Sequence, residues 1–120
     1  MTSKTRYQNS EAFLKRALKT IPLGSQTFSK SKTQYPHGVS PYFAQRAKGS
    51  QIWDIDGNQY TDYINSLCAV SLGYSDPDVN SAVIRQLDEG VIFSLPHPIE
   101  TYVSELLTEV IPCAEMTRFG

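Results

Sequence analysis

The side chains that could act as nucleophiles or general bases are scattered along this sequence. His37 and His97 are far apart, and each lies beside a proline. We interpret His97 as a helix cap or turn residue, because no second catalytic side chain accompanies it. Cys68 also has no neighbouring histidine, so a small buried apolar residue is a better interpretation than a nucleophile. The residues alone therefore indicate no catalytic constellation.

Three carboxylates, those of Asp54, Asp56 and Asp62, cluster around an Asp-Gly-Asn turn signal. Turn formation explains them without acid–base chemistry, because aspartate side chains accept hydrogen bonds from nearby backbone in turns. Their spacing is similar to that of a calcium loop. However, Gly57 stands at the fourth position of the loop instead of the sixth, and no glutamate closes it. We therefore expect no metal site here.

Two lysines in the irregular segment 22–49 could meet an anionic substrate. Lys30 and Lys32 are separated by one serine, and a solvated surface charge is the simpler explanation for both. The sequence contains neither a GxGxxG motif nor a P-loop that would hold a phosphate group. On the residues alone, these lysines are only candidates for an anion contact.

Composition and charge exclude several classes of protein. The 120 residues carry 11 basic and 12 acidic side chains, so the net charge of −1 excludes the basic surface of a nucleic-acid-binding domain. No apolar run approaches the ~18 residues that a membrane span needs, and the polar N-terminus is not a signal peptide. Cys68 and Cys113 form neither a CxxC motif nor a disulfide framework. We therefore expect a folded cytoplasmic domain without nucleic-acid or membrane partners.

The clearest local pattern is a β-hairpin over residues 52–64. Apolar and aromatic residues flank Asp56-Gly57-Asn58, and glycine and asparagine accept the positive φ of a tight turn at little cost. A shorter strand is predicted near residues 42–47. Residues 115–120 are typical of the start of another strand. Because such a strand has no visible destination, we expect the sequence to be part of a longer protein.

Three amphipathic helices are predicted around these strands. The first covers residues 11–20, with Ser10 as its cap. The second covers residues 78–89 and follows Asp76, whose side chain is a typical N-cap before a proline. The third covers residues 98–111 and carries a sustained apolar stripe. Together, the strands and helices indicate an α/β piece.

Several motifs, in order, resemble the N-terminal part of class-III aminotransferases, a family of enzymes that depend on pyridoxal phosphate (PLP). The strongest is the run from Arg46 to Tyr63, which contains Ile52-Trp53-Asp54-Ile55-Asp56-Gly57-Asn58. The other matches are Gly73, Pro77, Val79, the Gly-x-x-Phe-x-x-Pro segment at residues 90–96 and residues 112–119. The resemblance covers residues 11–120, which is nearly the whole chain.

This resemblance implies a fold-type-I α/β enzyme of which the chain forms the first part. Residues 1–75 would carry the N-terminal helix, an irregular substrate-side loop and the hairpin. Residues 76–120 would begin the large PLP domain. The phosphate-binding loop and the Schiff-base lysine would lie further along, so no lysine of this chain is assigned a catalytic role. The chain would be incomplete and inactive alone, and the full-length enzyme would be a homodimer.

The resemblance also implies four substrate-binding residues. Matching residues 21–24 to the Ile-Pro-x-Gly motif of the family's aminomutase branch places Thr27 at a hydroxyl position and Lys30 at an arginine position near the substrate carboxylate. A lysine keeps the charge but lacks the bidentate fork of arginine. Ser66 and Leu67 lie in the segment after the hairpin, where that branch has a tryptophan at the position of Leu67.

The activity that the resemblance implies is the movement of an amino group between an amino donor and a carbonyl acceptor. Leu67, Ala69 and Tyr74 differ from the aminomutase branch and favour a different substrate, such as a keto or amino sugar for polysaccharide precursors or a small oxo acid. One alternative is glutamate-1-semialdehyde 2,1-aminomutase of tetrapyrrole biosynthesis. Another is a small non-enzymatic interaction domain, complete as given.

Overall fold

The computed structural model describes residues 6–119, which divide between two compact units, Met1–Asn80 and Ser81–Gly120. The helices and strands are α1 (Gln8–Ala17), β1 (Ala44–Lys48), β2 (Gln51–Asp54), β3 (Gln59–Thr61), the single turn α2 (Asn65–Cys68), α3 (Pro77–Glu89) and α4 (Pro98–Val110). Three 3₁₀ turns lie between α1 and β1, at Pro22–Gly24, Phe28–Lys30 and Lys32–Gln34. These elements confirm the predicted α/β class, while the predicted domain boundary after residue 75 stays a prediction.

The three strands form one antiparallel sheet in the order β1-β2-β3. Ile52 of β2 lies opposite Tyr60 of β3, and the chain reverses between them through residues 55–58, where Gly57 has a φ of 84°. A positive φ is accessible to glycine without steric cost, which explains why the Asp-Gly-Asn signal marks this turn. The predicted hairpin is therefore confirmed, and β1 confirms the short strand predicted near residues 42–47.

The first helix differs from its prediction at both ends. It covers Gln8–Ala17 instead of residues 11–20, and Ser10, which was predicted to be the cap, lies inside the helix with its side chain fully buried. The cap comes from the hairpin instead. The backbone N–H groups of Asn9 and Ser10 donate to the two carboxylate oxygens of Asp56 at 2.7 and 2.9 Å. Because Asp56 lies 46 residues away, no local pattern could reveal it.

The small core of the first unit lies where α1 meets the irregular segment. Tyr7 and Leu14 are its buried apolar residues, and the Phe13 ring packs edge-on against Phe43 at a centroid distance of 5.4 Å. Gly24 packs so closely against α1 that a Cβ there would lie 2.7 Å from Leu14 Cδ1. These contacts hold residues 22–43 against the helix, although that segment has little regular structure.

The helix α3 begins as predicted, at an aspartate followed by a proline. Asp76 Oδ1 accepts hydrogen bonds from the backbone N–H groups of Asp78 and Val79, both at 3.0 Å. The helix ends at Glu89, and Gly90 follows with a φ of 102°. The predicted helix over residues 78–89 is therefore confirmed.

The helix α4 has a reciprocal cap at its N-terminus. His97 Nδ1 accepts from the N–H of Ile99 at 3.1 Å, and Glu100 Oε1 accepts from the N–H of His97 at 3.1 Å. The interpretation of His97 as a helix cap is confirmed, as is the helix predicted over residues 98–111. Most of its apolar stripe is exposed, including Tyr102, Leu106 and Val110.

The strand predicted from residue 115 onward is wrong for the part of it that the structure describes. Residues 115–119 form no strand, and no β-ladder among residues 6–119 includes them. Instead, Thr117 Oγ1 hydrogen-bonds Ser104 Oγ on α4 at 2.7 Å. Residue 120 lies outside the described residues.

Within residues 6–119, none of the helices is long and apolar enough to cross a membrane.

Candidate functional site

A cavity of about 350 Å³ lies within the first unit, beside the sheet. Its walls are mainly aromatic and aliphatic, and they include Tyr35, Tyr42, Phe43, Ile52, Tyr60, Ile64, Leu67 and Tyr74. The charged and hydroxyl side chains that line it are Ser29, Lys30, Asp54, Asp62 and Ser66. A concave, largely apolar site with a few polar groups is the usual form of a small-molecule site.

The sheet supplies one wall of this cavity through the alternation of its strands. Ile52 and Asp54 are two residues apart on β2, so their side chains point to the same face. Tyr60 lies directly opposite Ile52 on β3, and Asp62 follows two residues later. All four therefore line the cavity, which places two carboxylates and a phenol on one side of it.

Asp54 is the polar centre of the hairpin and only 2% exposed. Its Oδ1 accepts from the N–H groups of Asp56 and Asn58, and its Oδ2 accepts from the Asn58 amide and the Tyr60 hydroxyl, at 2.8 to 3.0 Å. Burial, together with the hydrogen bonds to Tyr7 and Asp54, raises the pKa of the Tyr60 hydroxyl well above its ordinary value. Asp54 and Tyr60 therefore hold the turn, as the sequence predicted for this carboxylate.

Asp62 and Tyr74 form a second carboxylate–phenol pair at the edge of the cavity. The Tyr74 hydroxyl donates to Asp62 Oδ2 at 2.6 Å. Asp62 Oδ1 accepts from the N–H of Ile64 at 2.8 Å and from that of Asn65 at 3.2 Å. The hydrogen bond from Tyr74, followed by those from the backbone, lowers the pKa of the Asp62 carboxyl although burial opposes this. The same hydrogen bond, with burial, raises the pKa of the Tyr74 hydroxyl.

The turn α2 has an unusual left-handed backbone. Asn65, Ser66, Leu67 and Cys68 have φ values of 55°, 48°, 58° and 69°. Left-handed helical geometry costs roughly 1–2 kcal/mol per residue when a Cβ is present, and strain of this kind persists only where the surroundings support it. This turn brings Ser66 and Leu67 to the cavity. We refer to α2 below as the left-handed turn.

The same turn leaves Cys68 exposed, so the interpretation of this cysteine as a buried apolar residue is wrong. Leu67 is also 62% exposed. Apolar residues on α3 and α4, such as Ile84 and Leu106, are exposed to a similar degree, so an apolar run does not predict burial within the described residues.

Lys30 supplies the cation of the cavity. It ends the 3₁₀ turn Phe28–Lys30 and lines the cavity with an exposed side chain. Among residues 6–119, its ammonium group has no hydrogen-bond or ion-pair partner. Lys32 belongs to the next 3₁₀ turn and does not line the cavity.

The structure thus brings together three of the four implied substrate-binding residues, Lys30, Ser66 and Leu67. The fourth, Thr27, does not line the cavity. It precedes the 3₁₀ turn that carries Lys30, and its backbone N–H donates to Ser25 Oγ at 3.4 Å. Its role in substrate binding stays a prediction.

The sequence patterns did not point to the aromatic residues of the irregular segment, although Tyr35 and Tyr42 both line the cavity. The Tyr42 hydroxyl hydrogen-bonds His37 Nδ1 and also accepts from the Gly38 N–H at 3.4 Å. The signal that could have found them is the concentration of aromatic residues in a stretch without periodicity. Such residues do not form the apolar face of a helix or strand, so they are available to line a cavity.

The described residues do not fit the phosphate group of PLP. A helix N-terminus is the usual cradle for a phosphate, but the N-termini of α1, α3 and α4 already hold the side chains of Asp56, Asp76 and His97. Lys30 is the only cationic residue among those that line the cavity, and two carboxylates, those of Asp54 and Asp62, line the same cavity. Residues 6–119 also contain no cluster of three or more histidine, cysteine or acidic side chains that could hold a metal ion. The arrangement suits an organic molecule with one anionic group.

Comparisons with known proteins bear on this site. The family model for aminotransferase class-III matches residues 33–119. A glutamate-1-semialdehyde 2,1-aminomutase from Desulforapulum autotrophicum is 42% identical over 109 residues, which are 91% of this chain and 25% of that protein. The chain therefore spans about a quarter of the length of the curated relatives it matches.

Two solved structures have a similar fold. An omega-transaminase from Sphaerobacter thermophilus is 36% identical, with a TM-score of 0.77, over 89% of this chain and 23% of its own. The FumI protein of a Sphingopyxis species, in a form that contains PLP, is 27% identical, with a TM-score of 0.78, over 89% of this chain and 25% of its own.

Proposed function

Because this chain belongs to the class-III aminotransferase family, we propose that it forms a substrate-side wall in a longer PLP-dependent enzyme that moves an amino group from a donor to a carbonyl acceptor. The observation that carries the proposal is the family match over residues 33–119. The cavity built from the irregular segment, the sheet and the left-handed turn supports it. In such enzymes the cofactor supplies an electron sink, and the protein binds and orients the substrate.

The residues of this chain would act on the substrate and not on the cofactor. Lys30, whose ammonium group is exposed at the cavity, would bind an anionic group of the substrate through a charge-assisted hydrogen bond. The Ser66 hydroxyl would add a second hydrogen bond. Leu67 and Tyr42 would contact the apolar part of the substrate and exclude water from it.

This lining favours an acceptor that combines one anionic group with an apolar body, such as an oxo acid. A keto sugar, which the sequence also suggests, would need several free hydrogen-bonding groups. The carboxylates of Asp54 and Asp62 already accept several hydrogen bonds each from within the chain. An acceptor in sugar or polysaccharide precursor biosynthesis therefore stays a prediction.

A second candidate is the aminomutase reaction, in which donor and acceptor are two positions of one molecule. The observation that favours it is that three relatives named glutamate-1-semialdehyde 2,1-aminomutase are 38 to 42% identical to this chain. Family membership favours either enzyme over a non-enzymatic interaction domain.

We also propose a cytoplasmic homodimer. Cys68 and Cys113 are both free and exposed, which suits a reducing compartment. The apolar stripe of α4 offers surface that the rest of a longer enzyme and its second subunit would cover.

The test is a substrate panel measured on the full-length enzyme loaded with PLP. We expect amino-group transfer from an external amino donor to an oxo acid, with ping-pong kinetics. Conversion of glutamate-1-semialdehyde without an external donor would favour the aminomutase instead. The absence of both activities, in an enzyme shown spectroscopically to hold PLP, would contradict the proposed function.

A further inference from the structure

We propose that Tyr74 is a positioning residue which, through Asp62, holds the left-handed turn in the conformation that brings Ser66 and Leu67 to the cavity. This inference rests on the proposed function, because it assigns the turn to the substrate wall of that same site. It concerns a pair of residues to which the sequence assigned no role in binding.

The left-handed turn needs support from outside itself. All four of its residues carry a Cβ at positive φ, and only Asn65 is of a type that tolerates this conformation well. Its backbone hydrogen bonds are few, and only that from the N–H of Leu67 to Ile64 O, at 3.1 Å, is of ordinary length. The N–H of Ala69 donates to Ser66 O at 3.3 Å, and that of Val70 donates to Asn65 O at 3.4 Å. Local bonds of this quality do not compensate the strain, so another contact must do so.

Asp62 supplies that contact from the end of the sheet. Its Oδ1 accepts from both N–H groups that enter the turn, those of Ile64 and Asn65. Its Oδ2 accepts from the Tyr74 hydroxyl at 2.6 Å, which is a short, charge-assisted bond. The carboxylate therefore links the start of the turn to Tyr74.

Tyr74 is itself held by the loop between β1 and β2. Its backbone forms a reciprocal pair of hydrogen bonds with Gly49, at 2.8 and 2.9 Å. The preceding residue, Gly73, approaches Gly49 so closely that a Cβ there would lie 3.2 Å from Gly49 Cα. The phenol thus reaches Asp62 from a fixed backbone, and the strained turn is supported by the sheet.

The test compares three variants of the full-length, PLP-loaded enzyme. Tyr74→Phe removes only the hydroxyl group. We expect it to raise KM for the anionic substrate roughly tenfold, with kcat within about twofold of wild type, because a hydrogen bond to a charged group is lost from the support and not from the reacting atoms. We also expect amide exchange at residues 64–70 to quicken roughly tenfold, while that of β2 and β3 stays unchanged.

Asp62→Asn changes the acceptor of the Tyr74–Asp62 hydrogen bond instead of the donor. Its amide oxygen still accepts from Ile64 and Asn65, so we expect a smaller effect of the same kind. In the double variant, Tyr74→Phe should change KM and the exchange rates less than it does in wild type, because both substitutions disrupt the same Tyr74–Asp62 hydrogen bond. If Tyr74→Phe does not fold, the exchange rates of Asp62→Asn at residues 64–70 decide the question.

Ser75→Ala is the matched control. The Ser75 hydroxyl donates to Ala47 O at 3.1 Å, next to Tyr74 but without contact to Asp62, so KM and exchange should stay at wild-type values. Wild-type KM and exchange in Tyr74→Phe, or equal changes in Ser75→Ala, would overturn the inference. An inactive wild type would instead contradict the proposed function, while the exchange measurement would still test the support of the turn.

Discussion

At the scale of single residues, the cavity contains charges of two kinds. The ammonium group of Lys30 has no partner among residues 6–119, whereas Asp54 and Asp62 each accept several hydrogen bonds from within the chain. A partnered carboxylate stabilises the local fold, and its loss leaves donors unsatisfied. Substitution of a cation without a partner changes the free energy of unfolding little, so the effect of such a substitution on activity reports on ligand binding.

We predict that Lys30→Ala lowers kcat/KM for the anionic substrate roughly 10–150-fold in the full-length enzyme, because a hydrogen bond to a charged group contributes ~1.5–3 kcal/mol. Lys30→Arg should retain most of the activity, since it keeps the charge and adds a bidentate fork. Lys32→Ala is the control, because Lys32 does not line the cavity. Steady-state kinetics on the three variants measures the effect, and equal values for Lys30→Ala and wild type would remove Lys30 from the site.

Asp56 leads to a prediction about pH. Burial alone would raise its pKa, but the hydrogen bonds from Asn9 and Ser10 outweigh burial and lower it below the ordinary value of 3.8. The charged form therefore stabilises α1 fully above pH 3.8, and this stabilisation is lost as the pH falls through the lower pKa of the folded state.

Asp56→Ala should accordingly weaken α1 by about 1 kcal/mol at neutral pH, the usual contribution of an N-cap. The difference from wild type should shrink in acid. Amide exchange of α1 in the full-length protein, followed from neutral pH into acid, checks both points. Glu105→Gln, which removes an exposed carboxylate elsewhere, should leave α1 unchanged. A difference that grows in acid would contradict the capping role.

At the scale of the elements, two glycines with similar backbones are constrained differently. Gly57 in the hairpin turn and Gly73 before Tyr74 have φ values of 84° and 91°. A Cβ at Gly57 would meet no atom within 4 Å, whereas one at Gly73 would lie 3.2 to 3.3 Å from Gly49 backbone atoms. At Gly73, both the positive φ and the close packing against Gly49 require a glycine, whereas at Gly57 only the positive φ does.

Gly57→Ala should therefore cost about 1 kcal/mol of unfolding free energy, from left-handed strain alone. Gly73→Ala should cost clearly more, because it also separates Tyr74 from Gly49 and weakens their two hydrogen bonds. Gly38→Ala, at a φ of 74° in open space, is the matched control and should behave like Gly57→Ala. Denaturant unfolding of the three variants in the full-length protein ranks them, and an equal loss for Gly57→Ala and Gly73→Ala would refute this account of the loop.

At the scale of the whole molecule, the chain exposes much apolar surface. On α4, the exposed fractions of Tyr102, Leu106 and Val110 are 67%, 56% and 60%. Each such side chain would contribute ~1.5–3 kcal/mol if it were fully buried. Folded domains are stable by only ~5–15 kcal/mol. The burial free energy that these exposed side chains do not contribute is therefore large compared with the net stability of a domain.

We therefore predict that residues 1–120, produced alone, self-associate or unfold without a cooperative transition. Light scattering after size-exclusion chromatography, together with denaturant unfolding, measures both properties. Replacing Leu106 and Val110 with serine should reduce the association without restoring stability, because it removes apolar surface but adds no core. A monodisperse monomer with one cooperative transition would contradict the prediction and favour a complete small domain.

The sequence by itself determined the elements whose partners lie within a few residues. The Asp-Gly-Asn turn, the Asp76 cap of α3 and the His97 cap of α4 are all short-range hydrogen-bond patterns, and each is present as predicted. The motif around Trp53 was sufficient to indicate the family, since it combines a turn signal with a fixed order of residues. These features could be read because the interactions that stabilise them are local.

Only the tertiary structure decided the features whose partners are distant. The cap of α1 comes from Asp56, 46 residues away, which is why the prediction of Ser10 was wrong. In the left-handed turn, every residue except Asn65 adopts a positive φ against its own conformational preference. The turn depends on Asp62 and on Tyr74, whose backbone is hydrogen-bonded to Gly49. Long-range hydrogen bonds can outweigh the local conformational preference of a residue. A sequence pattern does not indicate which distant donor and acceptor will form such a bond.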